Sequence, residues 1–496
     1  MKSEAFYNEM EAKIPKGQFR TRFAPSPTGY MHIGSLRTAL YGYLMAKKEQ
    51  GIFILRIEDT DLERYVAGAD EKIYSTLAAC NIKYDEGPDI GGPVGPYVQS
   101  ERRELYLDYA ELLISKGGAY RCFCGKNAPG EGDAQKSDGI PAKYDGRCSR
   151  LSAEDIAAKI AAGAPSIVRQ KIPSSGSTVF VDKVFGRIEV EHTILDDGVL
   201  IKGDGMPTYN FANVVDDHLM GITHIIRGSE FLSSTPKFNL LYEGFGWDVP
   251  QYIHCAPVMK DTSQKLSKRH GDASFEELVE KGYLRDALLN YVALLGWSPG
   301  GEREVFSLEE LIQSFDVKGL SKSPAIFDYV KLNWLNGEYL RAMDDTAYHG
   351  LALPHIKGAV KREIDTHYLA GLLKDRCDLL EDIPAQIDFF EKVGDYALDL
   401  YTNTKMKTSP ETAGETLCNV AGALDTVTDW SKDNIHNAIT KVVQDMGVKN
   451  GQVLWPLRVA LSGKTSTPGS GVELCLILGK TETLARIHRA VTKLRD

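Results

Sequence analysis

The stretch Pro25-Ser-Pro-Thr-Gly-Tyr-Met-His-Ile-Gly34 decides the fold. Two prolines stiffen its entry, and Gly29 and Gly34 let the backbone approach a ligand closely. On its N-terminal side Phe19, Thr21 and Phe23 alternate with charged and polar residues, which predicts a strand over residues 18–25. On its C-terminal side Leu36, Ala39, Leu40, Tyr43 and Leu44 fall at helical spacing, predicting a helix from about Ser35 to Lys48. Gly51 ends that helix, and Ile52-Phe-Ile-Leu55 reads as a buried parallel strand. Strand, loop, helix and strand make a βαβ unit, whose ligands bind outside the carboxyl ends of the strands. His32 and Gly34 stand where the loop meets the helix, and N–H groups there favour anionic oxygens such as a nucleotide phosphate.

Further along, Val199–Lys202 reads as a strand, Tyr209–His218 as a helix and His224–Arg227 as another strand, a second sheet-like stretch. Residues 100–205 differ in character. They hold a cysteine cluster, a polar loop and the β-rich run Thr178–Glu191, and read as an inserted domain. From about Ser307 the chain becomes helical and strand-poor, punctuated by Pro354, Pro384, Pro410, Pro456 and Pro468.

A chain of 496 residues predicts roughly three or four domains. Its 43% hydrophobic and 25% charged content fits a soluble globular protein. No apolar run is long enough to span a membrane, and the N-terminus lacks a basic-then-apolar leader, so a cytoplasmic location is expected. The net charge of −10 argues against a generally basic nucleic-acid binder, but phosphate contacts need only a local basic surface. Residues from Asp445 onward are locally basic: Lys449, Arg458, Lys464, Lys480, Arg486, Arg489, Lys493 and Arg495, read as a solvated helix face. Of eight cysteines, Cys80, Cys255, Cys377, Cys418 and Cys475 are isolated among apolar neighbours and expected to pack as small hydrophobes.

A basic pentapeptide, Lys265-Leu-Ser-Lys-Arg269, followed by His270-Gly-Asp272, lies far downstream of His32. The pair of strings resembles the two signatures of class I aminoacyl-tRNA synthetases, with His32-Ile-Gly34 ending in Ser35 instead of a second histidine. That departure is the one seen in the glutamate and glutamine branch. The strings Arg22–Gly29, Arg56-Ile-Glu-Asp-Thr-Asp61, Gly87–Pro93 with Gln99–Arg102, and Pro207–His218 are similar to the glutamyl enzymes. The resemblance runs from Arg20 to about Arg489 and implies a Rossmann-like α/β catalytic core with an inserted acceptor-arm domain and an all-α anticodon-binding domain. The expected layout is 1–100 with 206–262 catalytic, 101–205 inserted, 263–340 stem-contacting and 341–496 anticodon-binding.

The resemblance also implies roles. His32, Gly34, Lys265 and Lys268 would bind ATP, with His32 and Lys268 catalytic. Ammonium groups there would stabilise charge that develops on the phosphates in the transition state. Arg22 and Arg227 would pair with the glutamate side chain, because a guanidinium suits a carboxylate. Glu58 would hold the α-ammonium, Ser26, Tyr209 and Asn213 would supply neutral hydrogen bonds, and Glu230 shares the site. The reaction implied joins L-glutamate to tRNA(Glu) through glutamyl-adenylate, with Mg²⁺ accompanying ATP. Charging of tRNA(Gln) as well is the alternative. A monomer is expected.

Cys122-Phe-Cys124 with Cys148 suggests tetrahedral zinc, and family members carry such a site in the inserted domain. The fourth ligand would be Tyr144; otherwise the site is degenerate. The helical third resembles the anticodon-binding domain of the bacterial-type enzymes at Val448–Arg458 and Gly463–Gly469. Arg458 matches a family position in that domain, while Arg376 reads either as an arginine linked to the third anticodon base or as an ordinary exposed helix residue.

Overall fold

A computed structural model describes residues 2–28, 31–61, 66–125, 144–264, 266 and 274–495. The chain divides into two compact units, Met1–Val279 with Leu288–Asp328, and Glu280–Ala287 with Tyr329–Asp496.

The first unit opens with helix α1 (Glu4–Lys13), then β1 (Arg20–Phe23), α2 (Ile33–Lys48) and β2 (Ile52–Leu55), followed by α3 (Ala69–Ala79) and α4 (Arg103–Ser115). β1 and β2 pair in parallel from Arg20↔Ile52 to Phe23↔Leu55, as a βαβ unit requires. α2 starts at Ile33, earlier than the apolar spacing indicates, because His32 caps it: its Nδ1 accepts the Gly34 N–H at 2.9 Å. The Gly34 N–H is therefore engaged within the chain. Gly51 is required by close approach, since a Cβ there would strike the Phe19 carbonyl that accepts the Ile52 N–H.

Next come β3 (Ala119–Cys122), α5 (Ala153–Ala161), β4 (Ile167–Gln170), the hairpin β5 (Ser177–Asp182) and β6 (Gly186–Glu191), and β7 (Val199–Ile201). They lead to α6 (Tyr209–Leu219), β8 (His224–Gly228), α7 (Thr235–Phe245) and β9 (Gln251–Cys255). Two details differ from the sequence expectation. β7 does not neighbour β8; it closes a small antiparallel sheet ordered β3-β4-β7. β8 instead pairs in parallel with β9, the two being joined by α7, in a sheet ordered β6-β5-β9-β8. The β5–β6 hairpin, which lies within the stretch read as an insertion, thus reaches the catalytic sheet through Asp182↔Tyr252. β1 runs beside β8, where the Arg20 carbonyl accepts the Thr223 N–H at 3.0 Å. The ends of β1, β2, β8 and β9 therefore converge at one place. Behind them α4, α6 and α7 bury Tyr106, Tyr109, Phe211, Tyr242 and Phe245. A short parallel pair, β10 (Val258–Met259) and β11 (Ala325–Ile326), completes the unit.

The second unit is helical, with a core including Leu373, Ile387, Phe390, Leu417, Leu457 and Leu474. Pro384 and Pro410 stand in the first turns of their helices. Pro354 and Pro456 do not punctuate: each lies inside a helix, Asp345–Ala359 and Asn450–Ser462. Burial of Ala352 and Ile356, and of Val453 and Leu457, holds those helices across a proline that costs about 3 kcal/mol in isolation. Arg486 is likewise not a solvated residue. It is 2% exposed and donates to the carbonyls of Phe389, Phe390 and Leu461. Cys418 is exposed, while the other four isolated cysteines are buried as expected.

Candidate active site

The converging strand ends open into a cleft of about 750 Å³. Of the residues expected there, Arg22, Ser26, His32, Gly34, Glu58, Tyr209, Arg227 and Glu230 all line it. Asn213 does not reach the wall; it is buried one helical turn after Tyr209, and its Nδ2 has no hydrogen-bond partner among the described residues. Lys265 and Lys268 lie outside the described residues. Between them Leu266 lines the cleft, and its carbonyl accepts from His32 Nε2 at 2.9 Å. Because His32 Nδ1 already accepts from Gly34, the ring proton belongs on Nε2.

The floor of the cleft is a buried ionic network. Arg22 at the β1 end clasps Asp217 of α6 in a bidentate pair, Nε–Oδ1 3.0 Å and Nη2–Oδ2 3.2 Å. Arg56, just after β2, donates to Asp217 at 2.8 Å and to Glu58 at 3.0 Å. Arg102 donates to Asp216 at 2.7 Å, and Gln99 and Tyr106 complete that carboxylate's shell. Three guanidiniums face three carboxylates, so the network is balanced. Burial pushes the Asp217 carboxyl up, but Arg22 and Arg56 outweigh it and hold it below the usual carboxylate range. For Glu58 burial wins over Arg56 and Arg22, and its pKa rises. Burial, then the Glu58 charge, pushes the Tyr209 phenol up to about 12, so it stays a neutral donor at pH 7.

Arg227, at the end of β8, is different. It is 5% exposed, yet no carboxylate stands within 4 Å of it among the described residues. Its Nε donates to His254 Nε2 at 3.0 Å and its Nη2 to the Thr235 hydroxyl at 2.9 Å. The rings of Phe231, Phe238 and Tyr252 surround it at 4.7–5.4 Å. A desolvated cation without a counter-charge, on the wall of a cleft, is a site for an anion.

Sequence reasoning did not single out Asp216, Asp217, Asp182, His254 or Thr235. The first two carried a signal: adjacent acids on an otherwise apolar helix, in a chain whose Arg22 and Arg56 sit on buried strand ends. The others carried none: Asp182 and His254 find their partners across the sheet, and Thr235 meets Arg227 from the first turn of α7.

A second constellation lies at the end of β3. The sulfurs of Cys122, Cys124 and Cys148 lie within 4.8 Å of one another. Tyr144 Oη stands 3.3 Å from Cys122 Sγ and 3.5 Å from Cys124 Sγ. Backbone N–H groups of Phe123 and Cys148 point at Cys148 Sγ and Tyr144 Oη. A tetrahedral zinc with sulfur ligands needs donor separations of about 3.8 Å, so three thiols and a phenol so placed fit the ion.

In the helical unit Arg376 and Arg458 share a pocket of about 490 Å³ with Asp375, Ser470 and Glu473. Burial, then the charge of Arg376, lowers the Arg458 pKa, and Arg458 Nε is buried without a partner among the described residues.

Residues 18–334 match the family of tRNA synthetases class I (E and Q), catalytic domain. The chain belongs to that family. Residues 325–491 match an anticodon binding domain. Among curated relatives, the glutamate–tRNA ligase of Clostridium tetani is 56% identical over 480 residues, 97% of this chain and 98% of that protein. The glutamate–tRNA ligase of Clostridium acetobutylicum is 55% identical over 482 residues, 96% and 99% of the two chains. Among solved structures, a glutamate tRNA ligase from Elizabethkingia meningosepticum in complex with its amino acid superposes with a TM-score of 0.83 at 34% identity, over 96% of this chain and 100% of that one. The glutamate–tRNA synthetase of Elizabethkingia anophelis gives 0.81 at 33%, over 96% and 100%. Membership assigns the α/β cleft to the catalytic domain and the helical unit to anticodon binding, and makes ATP and tRNA partners of the chain. Among the described residues no helix is long and apolar enough to cross a membrane.

Proposed function

We propose that this chain is a glutamate–tRNA ligase. The carboxylate of L-glutamate attacks the α-phosphate of ATP, pyrophosphate leaves, and glutamyl-adenylate forms. A hydroxyl of the terminal adenosine of tRNA(Glu) then attacks the acyl carbon, and AMP leaves. No side-chain nucleophile is needed; positioning and charge stabilisation suffice.

The observation that carries the reading is Arg227. Arg22 has its carboxylate in Asp217, and Arg37 is spent on the carbonyls of Leu295 and Ala256, whereas among the described residues Arg227 has neutral partners on Nε and Nη2 and no acceptor for Nη1. The side-chain carboxylate of glutamate supplies it, with the Arg22 edge beside it. Glutamine brings an amide and leaves the cation unpaired, a strong basis for rejection. Glu58 holds the α-ammonium, Ser26 and Tyr209 donate neutral hydrogen bonds, and Glu230 lines the same wall. His32, Gly34, Lys265 and Lys268 serve ATP and its Mg²⁺. Arg376 and Arg458 read the anticodon, with Glu473 as an acceptor in the same pocket. Cys122, Cys124, Tyr144 and Cys148 hold a structural zinc, which would cross-link the end of β3 to the turn at Cys148.

Amino-acid-dependent exchange of labelled pyrophosphate into ATP, with tRNA present, tests the reading. Glutamate supports exchange, and glutamine at equal concentration gives less than about a hundredth of that rate. Exchange that runs as well on glutamine would refute it.

A further inference from the structure

We propose that Asp182 and His254 form a buried relay that fixes the plane of Arg227 and thereby sets the cleft's preference for a carboxylate side chain. The proposal rests on the reading of Arg227 as the partner of that carboxylate.

Neither residue lines the cleft, so neither is catalytic; both are positioning residues. Their side chains are fully buried. In the parallel ladder Arg227 of β8 is registered against His254 of β9, so ring and guanidinium meet across the strands. On the far side His254 Nδ1 stands 2.7 Å from Asp182 Oδ2. The Asp182 carboxylate also accepts the backbone N–H groups of Val184 at 2.9 Å, Phe185 at 2.7 Å and His254 at 3.1 Å. A carboxylate surrounded by donors is held ionised and can only accept. The proton of His254 must then sit on Nδ1, which leaves the lone pair of Nε2 to receive Arg227 Nε–H at 3.0 Å. Thr235 adds a second constraint by accepting from Nη2.

With Nε and Nη2 both held, the guanidinium plane is fixed. The Nη1 edge is the one without a protein acceptor among the described residues, and Arg227 lines the cleft. The tautomer is the critical link. An Nε2–H imidazole would set two donors face to face and release Arg227 from its orientation.

Asp182→Asn imposes that failure, because its amide donates where the carboxylate accepted. The KM for glutamate should rise about tenfold or more, and the KM for ATP should stay within about twofold. Both are read by pyrophosphate exchange with tRNA present, on protein whose melting curve shows it folded. A structural role would not produce that split. The decisive arm is a double-variant cycle: adding Asp182→Asn to Arg227→Ala should raise the glutamate KM no further. If Asp182→Asn does not fold, His254→Leu against His254→Gln replaces it. The glutamine variant keeps an acceptor near Nε2 and should retain affinity that the leucine variant loses. An Arg227→Ala variant with an unchanged glutamate KM would overturn the reading of the cleft and this proposal with it. A raised KM in Arg227→Ala, with independent multiplication of effects in the double variant or equal effects on ATP and glutamate, would overturn the relay alone.

Discussion

At the scale of single residues, the two arginines assigned to the glutamate side chain are not equivalent. Arg22 is already bidentate on Asp217, whereas among the described residues Arg227 has only neutral partners. Removing Arg22 therefore does two things. It weakens glutamate binding, raising its KM far more than that of ATP, and it leaves Asp217 buried with Arg56 as its remaining guanidinium. Arg22→Ala should thus also cost stability, about 3 kcal/mol by analogy with other broken buried pairs. Denaturant titration alongside kinetics checks this; a full glutamate effect at unchanged stability would show that Arg56 alone satisfies Asp217. Arg22, Glu58 and Arg227 were legible because each sits in a string typical of the glutamyl branch. Asp217 carried only the weak signal of adjacent acids on an apolar helix, and His254 carried none, because its partners Arg227 and Asp182 are met across the sheet, which sequence spacing does not show.

At the scale of elements, the βαβ unit at His32 was legible except for the start of α2, because apolar spacing and Gly51 mark its parts while the His32 cap is a side-chain contact. The pairing of β7 and β8 was not. Both are short apolar runs beside the same helix, and their partners, β4 and β9, are set by crossovers that local pattern does not encode. Pro354 and Pro456 misled for a related reason: tertiary burial overrides a local breaker. The cysteine turn was legible from spacing, and the structure adds that Tyr144 stands among the sulfurs. Metal analysis of the purified protein should find about one zinc per chain, bound by Cys122, Cys124, Tyr144 and Cys148, and Cys124→Ser should lose it. Protein without zinc that melts identically to the loaded form would remove the structural role.

At the scale of the whole molecule, a net charge of −10 leaves an RNA substrate to be met by local cations, and we propose Arg376 and Arg458 for that role. Arg458, in the helix Asn450–Ser462, and Arg376, in the turn after the helix Thr366–Lys374, line one pocket, with Asp375 and Glu473 beside them. The basic run from Asp445 onward, read as a solvated helix face, is that only in part, since Arg486 belongs to the core. The helical unit and the α/β cleft together match relatives over almost their full length, so one chain holds both the amino-acid site and the anticodon site. The most direct test of the account is to charge purified tRNA(Glu) and tRNA(Gln) side by side, each with labelled glutamate and with labelled glutamine. Glutamate on tRNA(Glu) is the product expected, with no glutamine transferred to either RNA. Failure to form glutamyl-tRNA(Glu), or transfer of glutamine, would contradict the account.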